Sequence, residues 1–341
     1  MKERVPMKTE VLQPDEQAIQ KAAALLREGD LVGMPTETVY GLAANALNPA
    51  ALLKIFKAKG RPQDNPLIVH ISDLSMLDGL VSRLPTIAKS LAQAYWPGPL
   101  TMILPKGKQI PYEATAGLES VGIRFPSHPV AQKLIAAAGL PLAAPSANLS
   151  GKPSPTTAAH VYEDLNGKIP LILDGGECSV GLESTVIAVG EESVRLLRPG
   201  GITVEMLERF CPVEVDDAVC HQLKQGAVAA SPGMKYKHYS PKAHVVILDG
   251  TLEQFCTYLS AHKQKNTYAL VFDGEQQELG VPSLTYGGNA QEQAKELFAA
   301  LRKLDELGAG VVYARCPDRS GMGLAVYNRL IRAAGFEIIS L

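Results

Sequence analysis

The segment LVGMPTETVYGLAANALNPAALLKIFKAKGRPQDNPLIVHI (Leu31–Ile71) decides the fold class. It opens with a short apolar run, Leu31–Met34, that ends at a proline. Asn48 then precedes Pro49, and an asparagine N-cap with proline at the first helical position predicts a helix that runs to about Lys59. The segment closes on LIVHI, a continuous apolar run typical of a buried strand. A strand, a helix and a strand in succession predict an α/β fold.

The same alternation of apolar runs and helical segments continues to about residue 210. We predict further strands at Leu100–Leu104, Val121–Phe125, Pro141–Ala144, Leu171–Leu173, Ser184–Val189 and Val194–Leu197. We predict further helices at Pro85–Tyr95, Pro129–Ala138, Thr156–Leu165 and Thr203–Phe210. This many short strands indicate a large, mixed sheet in a first domain that spans residues 1–210.

The periodic pattern is lost between Cys211 and His244, and we predict a linker over residues 211–242. Its central string is SPGMKYKHYSP (Ser231–Pro241), which is richer in aromatic and basic residues than flexible tethers are. Long segments without regular structure are usually either functional or disordered. We therefore expect this linker to fold over the active site of the first domain; the alternative is a semi-rigid spacer.

The alternation resumes in residues 243–341. We predict strands at His244–Leu248, Ala269–Asp273, Val311–Arg315 and Phe336–Ser340, and helices at Thr251–Lys265, Ala290–Leu307 and Leu324–Ala334. Three strand–helix units predict a smaller, mostly parallel, Rossmann-like domain. Its G-x-G string at Gly321–Gly323 is too weak a signal for a nucleotide site, because the longer G-x-G-x-x-G motif is missing.

The composition of the chain argues against several classes of protein. The chain has 341 residues, with 33 Lys and Arg against 35 Asp and Glu, and a net charge of −2. This balance argues against a protein that coats nucleic acid or an anionic membrane, so an anion site must be a local cluster. No apolar run reaches the ~18 residues of a membrane span, and the charged N-terminus lacks the apolar stretch of a signal peptide. The 5 cysteines are scattered and favour a reducing cytoplasm over a disulfide scaffold or a zinc site.

Polar side chains cluster after predicted strands, where α/β sheets bind ligands. PTETVYG (Pro35–Gly41) follows the first strand, and APSANLSGKPSPT (Ala144–Thr156) follows a later one. KAKGRPQDNPL (Lys57–Leu67) projects Lys59 and Arg61 from a helix end, as a phosphate clamp would. Simpler alternatives stay open: the first string as a strand-end turn, and the cations as partners of the helix dipole.

Two predicted strands carry arginines, Arg124 in ESVGIRFP and Arg198 in LLRPGG, although an isolated strand arginine is more often a surface or ion-pair residue. The sequence has no H-E-x-x-H motif, no G-x-S-x-G elbow and no Walker A loop. Cations and hydroxyls without an obvious nucleophile suit chemistry that works by positioning and charge stabilisation on a phosphorylated substrate.

Taken in order, the strings PTETVYGL, K-x-R, NPL, GIRFP, APSAN-x-SG, EST and LRPG resemble the motifs of the YrdC-type threonylcarbamoyl-AMP synthases. The string SPGMKYKHYSP, followed by a second α/β domain, resembles the longer, two-domain form of that family. The resemblance covers nearly the whole chain. It implies a YrdC-like twisted, mostly mixed α/β sheet with a concave basic cavity, followed by a Rossmann-like domain.

The resemblance also implies an enzyme of the nucleotidyltransferase class. L-threonine, bicarbonate or carbon dioxide, and ATP would give threonylcarbamoyl-AMP and pyrophosphate. A separate transferase would use the product to modify the adenosine beside the anticodon of tRNA, and this step would not require tRNA directly. ATP would be a substrate, and Mg²⁺ would bind through phosphates rather than through protein side chains.

The motifs assign residues to both substrates. By resemblance, the threonine site would comprise Thr38, His70, Arg124, Ala144 and Ser184. The ATP site would comprise Lys59, Arg61, Asn65, Ser120, Ser146, Asn148, Ser154, Arg198 and, from the linker, Tyr236, with Lys59 and Arg61 as the catalytic cations.

Two other functions remain possible from the sequence. A non-catalytic RNA-binding module would use a basic cavity in the same fold, and salt-sensitive RNA binding without ATP turnover would identify it. A carbamoyltransferase of the hydrogenase-maturation type also contains a YrdC-like domain. The missing C-x-x-C pairs argue against that machinery, which resembles a larger, zinc-finger-containing protein.

Overall fold

A computed structural model describes residues 8–221, 239–277 and 279–341. In chain order, the first part contains β1 (Glu10–Leu12), α1 (Glu16–Arg27), β2 (Val32–Met34), β3 (Gly41–Asn45), α2 (Pro49–Lys59), β4 (Ile68–His70), α3 (Thr86–Tyr95), β5 (Leu100–Pro105), α4 (Tyr112–Thr115), β6 (Ser120–Arg124), α5 (Pro129–Ala138), β7 (Leu142–Ala143), α6 (Ala158–Leu165), β8 (Leu171–Leu173), β9 (Thr185–Val189), β10 (Val194–Arg198), α7 (Val204–Leu207) and β11 (Val213–Val215). Short 3₁₀ turns lie at Leu74–Leu77 and Asp217–Val219.

The second part contains β12 (His244–Asp249), α8 (Leu252–His262), β13 (Thr267–Val271), β14 (Ser283–Thr285), α9 (Ala290–Glu306), β15 (Val311–Arg315), α10 (Gly321–Ala333) and β16 (Ile338–Ser340). The strands of the two parts form separate sheets.

The first sheet is mixed, as predicted. It has 11 strands in the order β1-β8-β2-β3-β7-β4-β6-β5-β9-β10-β11. It contains both parallel pairs, such as β4–β6, and antiparallel pairs, such as β5–β6. The second sheet has 5 strands in the order β14-β13-β15-β12-β16, and all its pairs are parallel. The predicted parallel α/β domain is thus confirmed, with β15 inserted between β12 and β13.

Helix α2 forms for the reasons that its sequence indicates. The side chain of Asn48 accepts hydrogen bonds from the backbone nitrogens of Ala50 and Ala51, and Pro49 occupies the first turn. The helix ends at Gly60, whose φ of +63° is the left-handed conformation that glycine adopts readily. Around this stop, the ammonium of Lys59 donates to carbonyls of the loop after β7, whereas the guanidinium of Arg61 donates to the carbonyls of Asn65 and Pro66.

Several elements were missed by the sequence analysis. Strands β1, β3 and β14 are only 3 to 5 residues long, and β3 is the alanine-rich GLAAN, a weak strand signal. Helix α1 had a readable signal, because Asp15 accepts from the Ala18 backbone nitrogen as an N-cap.

The first residues of the predicted linker form a strand and a 3₁₀ turn, contrary to the expected loss of regular structure. Strand β11 pairs in parallel with β10 at the edge of the first sheet, and the Asp217–Val219 turn follows. Residues 222–238 lie outside the described residues, and the expected closure over the active site falls there.

The two domains pack against each other. The core between the second sheet and helices α9 and α10 includes Val39 and Leu182 from the first domain. Polar bonds cross the same boundary, among them one from the Nη2 of Arg302 to a carboxylate oxygen of Asp164 at 2.8 Å. In the described ranges, no helix combines the length and the apolar character needed to cross a bilayer.

Candidate active site

Most of the predicted site residues line one cavity. It lies where the ends of β2, β4, β6 and β10 meet the start of β9 and the loop after β7. Its described lining is Thr38, Val39, Arg61, Ile68, His70, Arg124, Ala144, Pro145, Ser146, Asn148, Glu183, Ser184, Arg198 and Tyr239. The cavity is therefore rich in arginines and hydroxyls.

All the residues predicted for threonine line this cavity. His70 and Arg124 are register partners at the ends of the parallel strands β4 and β6. The Thr36 hydroxyl donates to the Val39 carbonyl at 2.6 Å and lies 2.9 Å from the hydroxyl of Thr38, which fixes the turn after β2. Across the cavity, the Ser184 hydroxyl lies at the start of β9.

Burial determines the charge of His70. Its ring is 2% exposed, and burial, with a further effect of the Arg124 charge, lowers the pKa of His70 to about 3. The imidazole is therefore neutral near pH 7. A neutral ring beside a buried guanidinium can donate or accept one hydrogen bond without adding charge to the pocket.

Four of the residues predicted for ATP also line the cavity: Arg61, Ser146, Asn148 and Arg198. Burial is the main reason that the pKa values of Arg61 and Arg198 are lowered, each to about 10, so both stay protonated near pH 7. The Nε of Arg198 donates to the Ser184 carbonyl at 3.0 Å, and its Nη2 donates to the Ser184 hydroxyl at 3.1 Å. Arg198 thus links the two predicted subsites.

Lys59 is buried and points into the loop after β7. Its Nζ donates to the Asn148 carbonyl at 2.5 Å and also to the Ser146 carbonyl. Burial lowers the pKa of Lys59 well below its ordinary value, and the nearby Arg61 charge adds to the effect. In this structure Lys59 therefore holds the loop that presents Ser146 and Asn148.

The remaining described residues predicted for ATP, Asn65, Ser120 and Ser154, are not part of that lining. The Ser154 hydroxyl donates to a carboxylate oxygen of Glu183. Asn65 is buried, and its carbonyl accepts from Arg61 at 3.4 Å. Ser120 begins β6, and Tyr236 lies outside the described residues.

Sequence reasoning assigned no role to two of the polar lining residues, Glu183 and Tyr239. Glu183 belongs to the EST string, but only its serine was assigned a role. Tyr239 belongs to the linker string, where only Tyr236 was assigned one. Tyr239 is 5% exposed, and its ring packs on Phe298 with the centroids 5.2 Å apart. No local sequence signature marks an aromatic residue that packs against the second domain while it lines the cavity of the first.

No group of three or more His, Cys, Asp or Glu side chains that could hold a metal ion is found in the described parts of the chain. The lining is cationic, and its carboxylate, Glu183, is ion-paired. A magnesium ion would fit this cavity only if an anionic ligand brought it.

Comparison with known proteins decides the family. A family model named Sua5_yciO_yrdC, described as telomere recombination, matches residues 24–200. A second model, described as the C-terminal domain of threonylcarbamoyl-AMP synthase, matches residues 202–335. The chain belongs to the threonylcarbamoyl-AMP synthase family. The family resemblance stated from the motifs, in its two-domain form, is thereby confirmed.

Relatives of this family match along the whole chain. The threonylcarbamoyl-AMP synthase of Bacillus subtilis is 47% identical over 97% of this chain and 97% of that protein. The synthase of Pyrococcus abyssi is 44% identical over 96% of this chain and 97% of that protein. The crystal structure of P. abyssi Sua5 complexed with L-threonine superposes with a TM-score of 0.89, covering 99% of this chain and 100% of that one at 42% identity. This chain therefore shares the fold of P. abyssi Sua5 over both domains.

Proposed function

We propose that this protein is an L-threonylcarbamoyladenylate synthase. It would convert L-threonine, bicarbonate or carbon dioxide, and ATP into threonylcarbamoyl-AMP and pyrophosphate. One observation carries the proposal: a single cavity is lined by Arg124 with the neutral side chains of Thr38, His70 and Ser184, and also by two further arginines, Arg61 and Arg198, with Ser146 and Asn148 from the loop after β7. The first arrangement suits an amino acid, and the second suits a polyphosphate.

The threonine end of the cavity would be built around Arg124. Its guanidinium would bind the substrate carboxylate, because a planar fork matches that group. Neutral His70, Thr38 and Ser184 would bond the hydroxyl and the amine, and the backbone of Ala144 would serve as a further partner. The proposal for this end is supported by the relative from P. abyssi that was solved with L-threonine.

The ATP end would use Arg61 and Arg198 against the triphosphate, with Ser146 and Asn148 as further hydrogen-bond partners. Lys59 would contribute its charge and, through the loop carbonyls, the position of those two side chains. Asn65, Ser154 and the linker residue Tyr236 complete the proposed set.

Ser120 fits the same site if the nucleotide lies along the sheet. Side chains alternate along a strand, so Ser120 and Arg124 share one face of β6, about 13 Å apart at roughly 3.3 Å per residue. Between them lies Gly122, which has no side chain, and the side chains of Ile68 and Ile103 on the neighbouring strands pack close beside it. An adenosine would cover this strip while its phosphates reach the arginines.

The chemistry would proceed by positioning. The deprotonated amine of threonine attacks the carbon of carbon dioxide or bicarbonate and forms a carbamate; bicarbonate would also lose hydroxide. A carbamate oxygen then attacks the α-phosphorus of ATP in line, and pyrophosphate leaves with the electron pair of the broken P–O bond. The proton of the amine goes to water or to a substrate phosphate. Arg61 and Arg198 offset the charge that develops on the phosphates.

Mg²⁺ would arrive on the triphosphate, since the described residues offer it no cage. When bound there, it would add positive charge at the phosphates. We place the enzyme in the cytoplasm, where its 5 cysteines, all free thiols, would stay reduced. Its product would pass to a separate tRNA-modifying transferase, and this step would need no tRNA.

Pyrophosphate release tests the proposal directly. The purified protein is assayed with ATP and bicarbonate, with and without L-threonine, and in parallel with carbamoyl phosphate in place of both. Threonine-dependent release is expected. Release that depends on carbamoyl phosphate would indicate the hydrogenase-maturation type of carbamoyltransferase. Salt-sensitive RNA binding without any ATP turnover would indicate the RNA-binding module instead.

A further inference from the structure

Arg329 is a buried arginine of the second domain that reaches the cavity wall of the first. It lies on α10, and its side chain is 0% exposed. Its Nε donates to a carboxylate oxygen of Glu183 at 2.8 Å, and its Nη2 donates to the Glu183 carbonyl at 3.1 Å. Its Nη1 donates to the carbonyl of Pro199 at 2.8 Å and to the Oδ1 of Asn328 at 2.9 Å. All three guanidinium nitrogens are therefore bonded, and two first-domain segments are tied to one side chain.

Both of those segments carry cavity residues. Glu183 precedes Ser184 at the start of β9, and Pro199 follows Arg198 at the end of β10. Arg198 bonds back to the carbonyl and hydroxyl of Ser184, at 3.0 Å and 3.1 Å. Arg329 therefore bonds both to Glu183, next to the predicted threonine ligand Ser184, and to Pro199, next to the predicted phosphate ligand Arg198. Since Ser184 and Arg198 also bond to each other, the three segments form a closed set of contacts.

Glu183 places a negative charge in a cavity that is proposed to bind a triphosphate. Among the described lining residues no other is acidic, whereas three are arginines. Burial raises the pKa of Glu183, but the charges of Arg329 and Arg198 outweigh that effect and hold the pKa below its ordinary value. The carboxylate is therefore ionised, and the positive charges of Arg329 and Arg198 both stabilise it. Without Arg329, Glu183 would keep the Ser154 hydroxyl as a donor but would depend on Arg198 for a compensating charge, and its own charge would repel a triphosphate.

We infer that Arg329 is a positioning residue for the synthase reaction, which makes the second domain part of the active site. It neutralises Glu183, which leaves the charge of Arg198 to the triphosphate, and it fixes the segments that carry Ser184 and Arg198. The inference rests on the proposed function, because a phosphorylated substrate is what needs that charge.

The test measures KM and kcat for ATP, by pyrophosphate release at saturating threonine and bicarbonate, in Arg329→Met, Glu183→Gln and the double variant. Arg329→Met is expected to raise the KM for ATP tenfold or more with a smaller fall in kcat, because it leaves a buried carboxylate without its partner. Adding Glu183→Gln removes that charge, so the double variant is expected to return to within threefold of the wild-type KM. A merely structural role predicts instead that the double variant is at least as impaired as the single one.

Arg302 provides a matched control at the same domain interface. From α9, its Nη2 donates to a carboxylate oxygen of Asp164 at 2.8 Å and to the Pro153 carbonyl at 2.7 Å, and its side chain is 4% exposed. This is also a buried interdomain ion pair that fixes a segment beside a proposed ligand, because Pro153 precedes Ser154. Neither Arg302 nor Asp164 lines the cavity, and Asp164 keeps Lys152 as a partner, so losing Arg302 leaves no unpaired carboxylate in the cavity. Arg302→Met is expected to keep the KM for ATP within twofold of the wild type, whatever it does to stability.

Three results would overturn the inference: an Arg329→Met KM within twofold of the wild type, an equal rise in Arg302→Met, or a rise in Arg329→Met that Glu183→Gln does not relieve. If Arg329→Met alone does not fold, the double variant decides, since it buries no unpaired charge; a KM within threefold supports the inference and a tenfold rise contradicts it. A wild-type protein that releases no pyrophosphate contradicts the proposed function instead, so the two failures are distinguishable.

Discussion

The guanidinium of Arg124 lies 2.7 Å from the carboxylate of Glu37, and the two side chains are only 5% and 6% exposed. The pair joins the end of β6 to the turn after β2. The residue assigned to the substrate carboxylate thus already has a carboxylate beside it, supplied by the protein. Threonine binding would add a second anion to the same cation.

We expect Glu37→Gln to lower the melting temperature, because it leaves the buried Arg124 charge without its partner. Threonine should compensate, since its carboxylate restores the missing charge. The threonine-induced rise in melting temperature should therefore be larger in Glu37→Gln than in the wild type, with binding about tenfold tighter, or ~1.4 kcal/mol. Thermal unfolding with and without threonine measures this. Arg124→Gln is the control that should lose the threonine effect, and equal shifts in wild type and Glu37→Gln would contradict the prediction.

Arg61 and Lys59 should respond differently to truncation. Arg61→Ala should cut adenylate formation more than tenfold with the fold intact, since a charge-assisted bond contributes roughly 1.5–3 kcal/mol. From the sequence, the same loss with an intact fold is expected for Lys59→Ala. The contacts of the Lys59 Nζ with two loop carbonyls add a fall in melting temperature to that loss. Exposed Lys57→Ala is the matched control and should preserve both properties. Near wild-type pyrophosphate release in Arg61→Ala would remove Arg61 from the phosphate site.

Amino-acid selectivity tests the hydroxyl-binding groups. A pocket that bonds the threonine hydroxyl should reject valine by ~10⁴ in kcat/KM, because its buried polar groups would lose a partner. Serine lacks only a methyl group and should be disfavoured by about 10–200-fold. Pyrophosphate release with each amino acid measures both ratios. Valine used about as well as serine would refute hydroxyl recognition by this pocket.

His70 should make stability depend on pH. Its pKa is about 3 in the folded protein and about 6.5 when unfolded, so the folded form gains nothing from protonation in that range. A lowered folded pKa means that stability is full above about pH 6.5 and declines as the pH falls towards 3. Between pH 7 and pH 5 the loss due to His70 should be roughly 2 kcal/mol. Urea unfolding of wild type and His70→Gln at both pH values measures it, with the pH 7 difference correcting for the substitution itself. Parallel pH dependences in the two proteins would contradict the prediction.

Local sequence was sufficient where local chemistry governs the structure. The Asn48–Pro49 start and the Gly60 end of α2 were predictable because capping depends on neighbouring residues. Arg124 and His70, which the family resemblance assigned to one site, do lie together, because they are register partners at the ends of the parallel strands β4 and β6. Short strands such as β3 and β11 escaped prediction, since a few residues become a strand only when a partner strand lies beside them.

The sequence by itself therefore determined the family, the two α/β domains and most of the side chains that face the cavity. The tertiary structure alone decided what those side chains touch. Lys59 turns to loop carbonyls almost ninety positions away, and Arg329 reaches Glu183 across 146 residues of chain. Such contacts depend on how distant elements pack and on which buried charge needs a partner. The residues next to Lys59 or Arg329 in the sequence therefore do not predict these contacts.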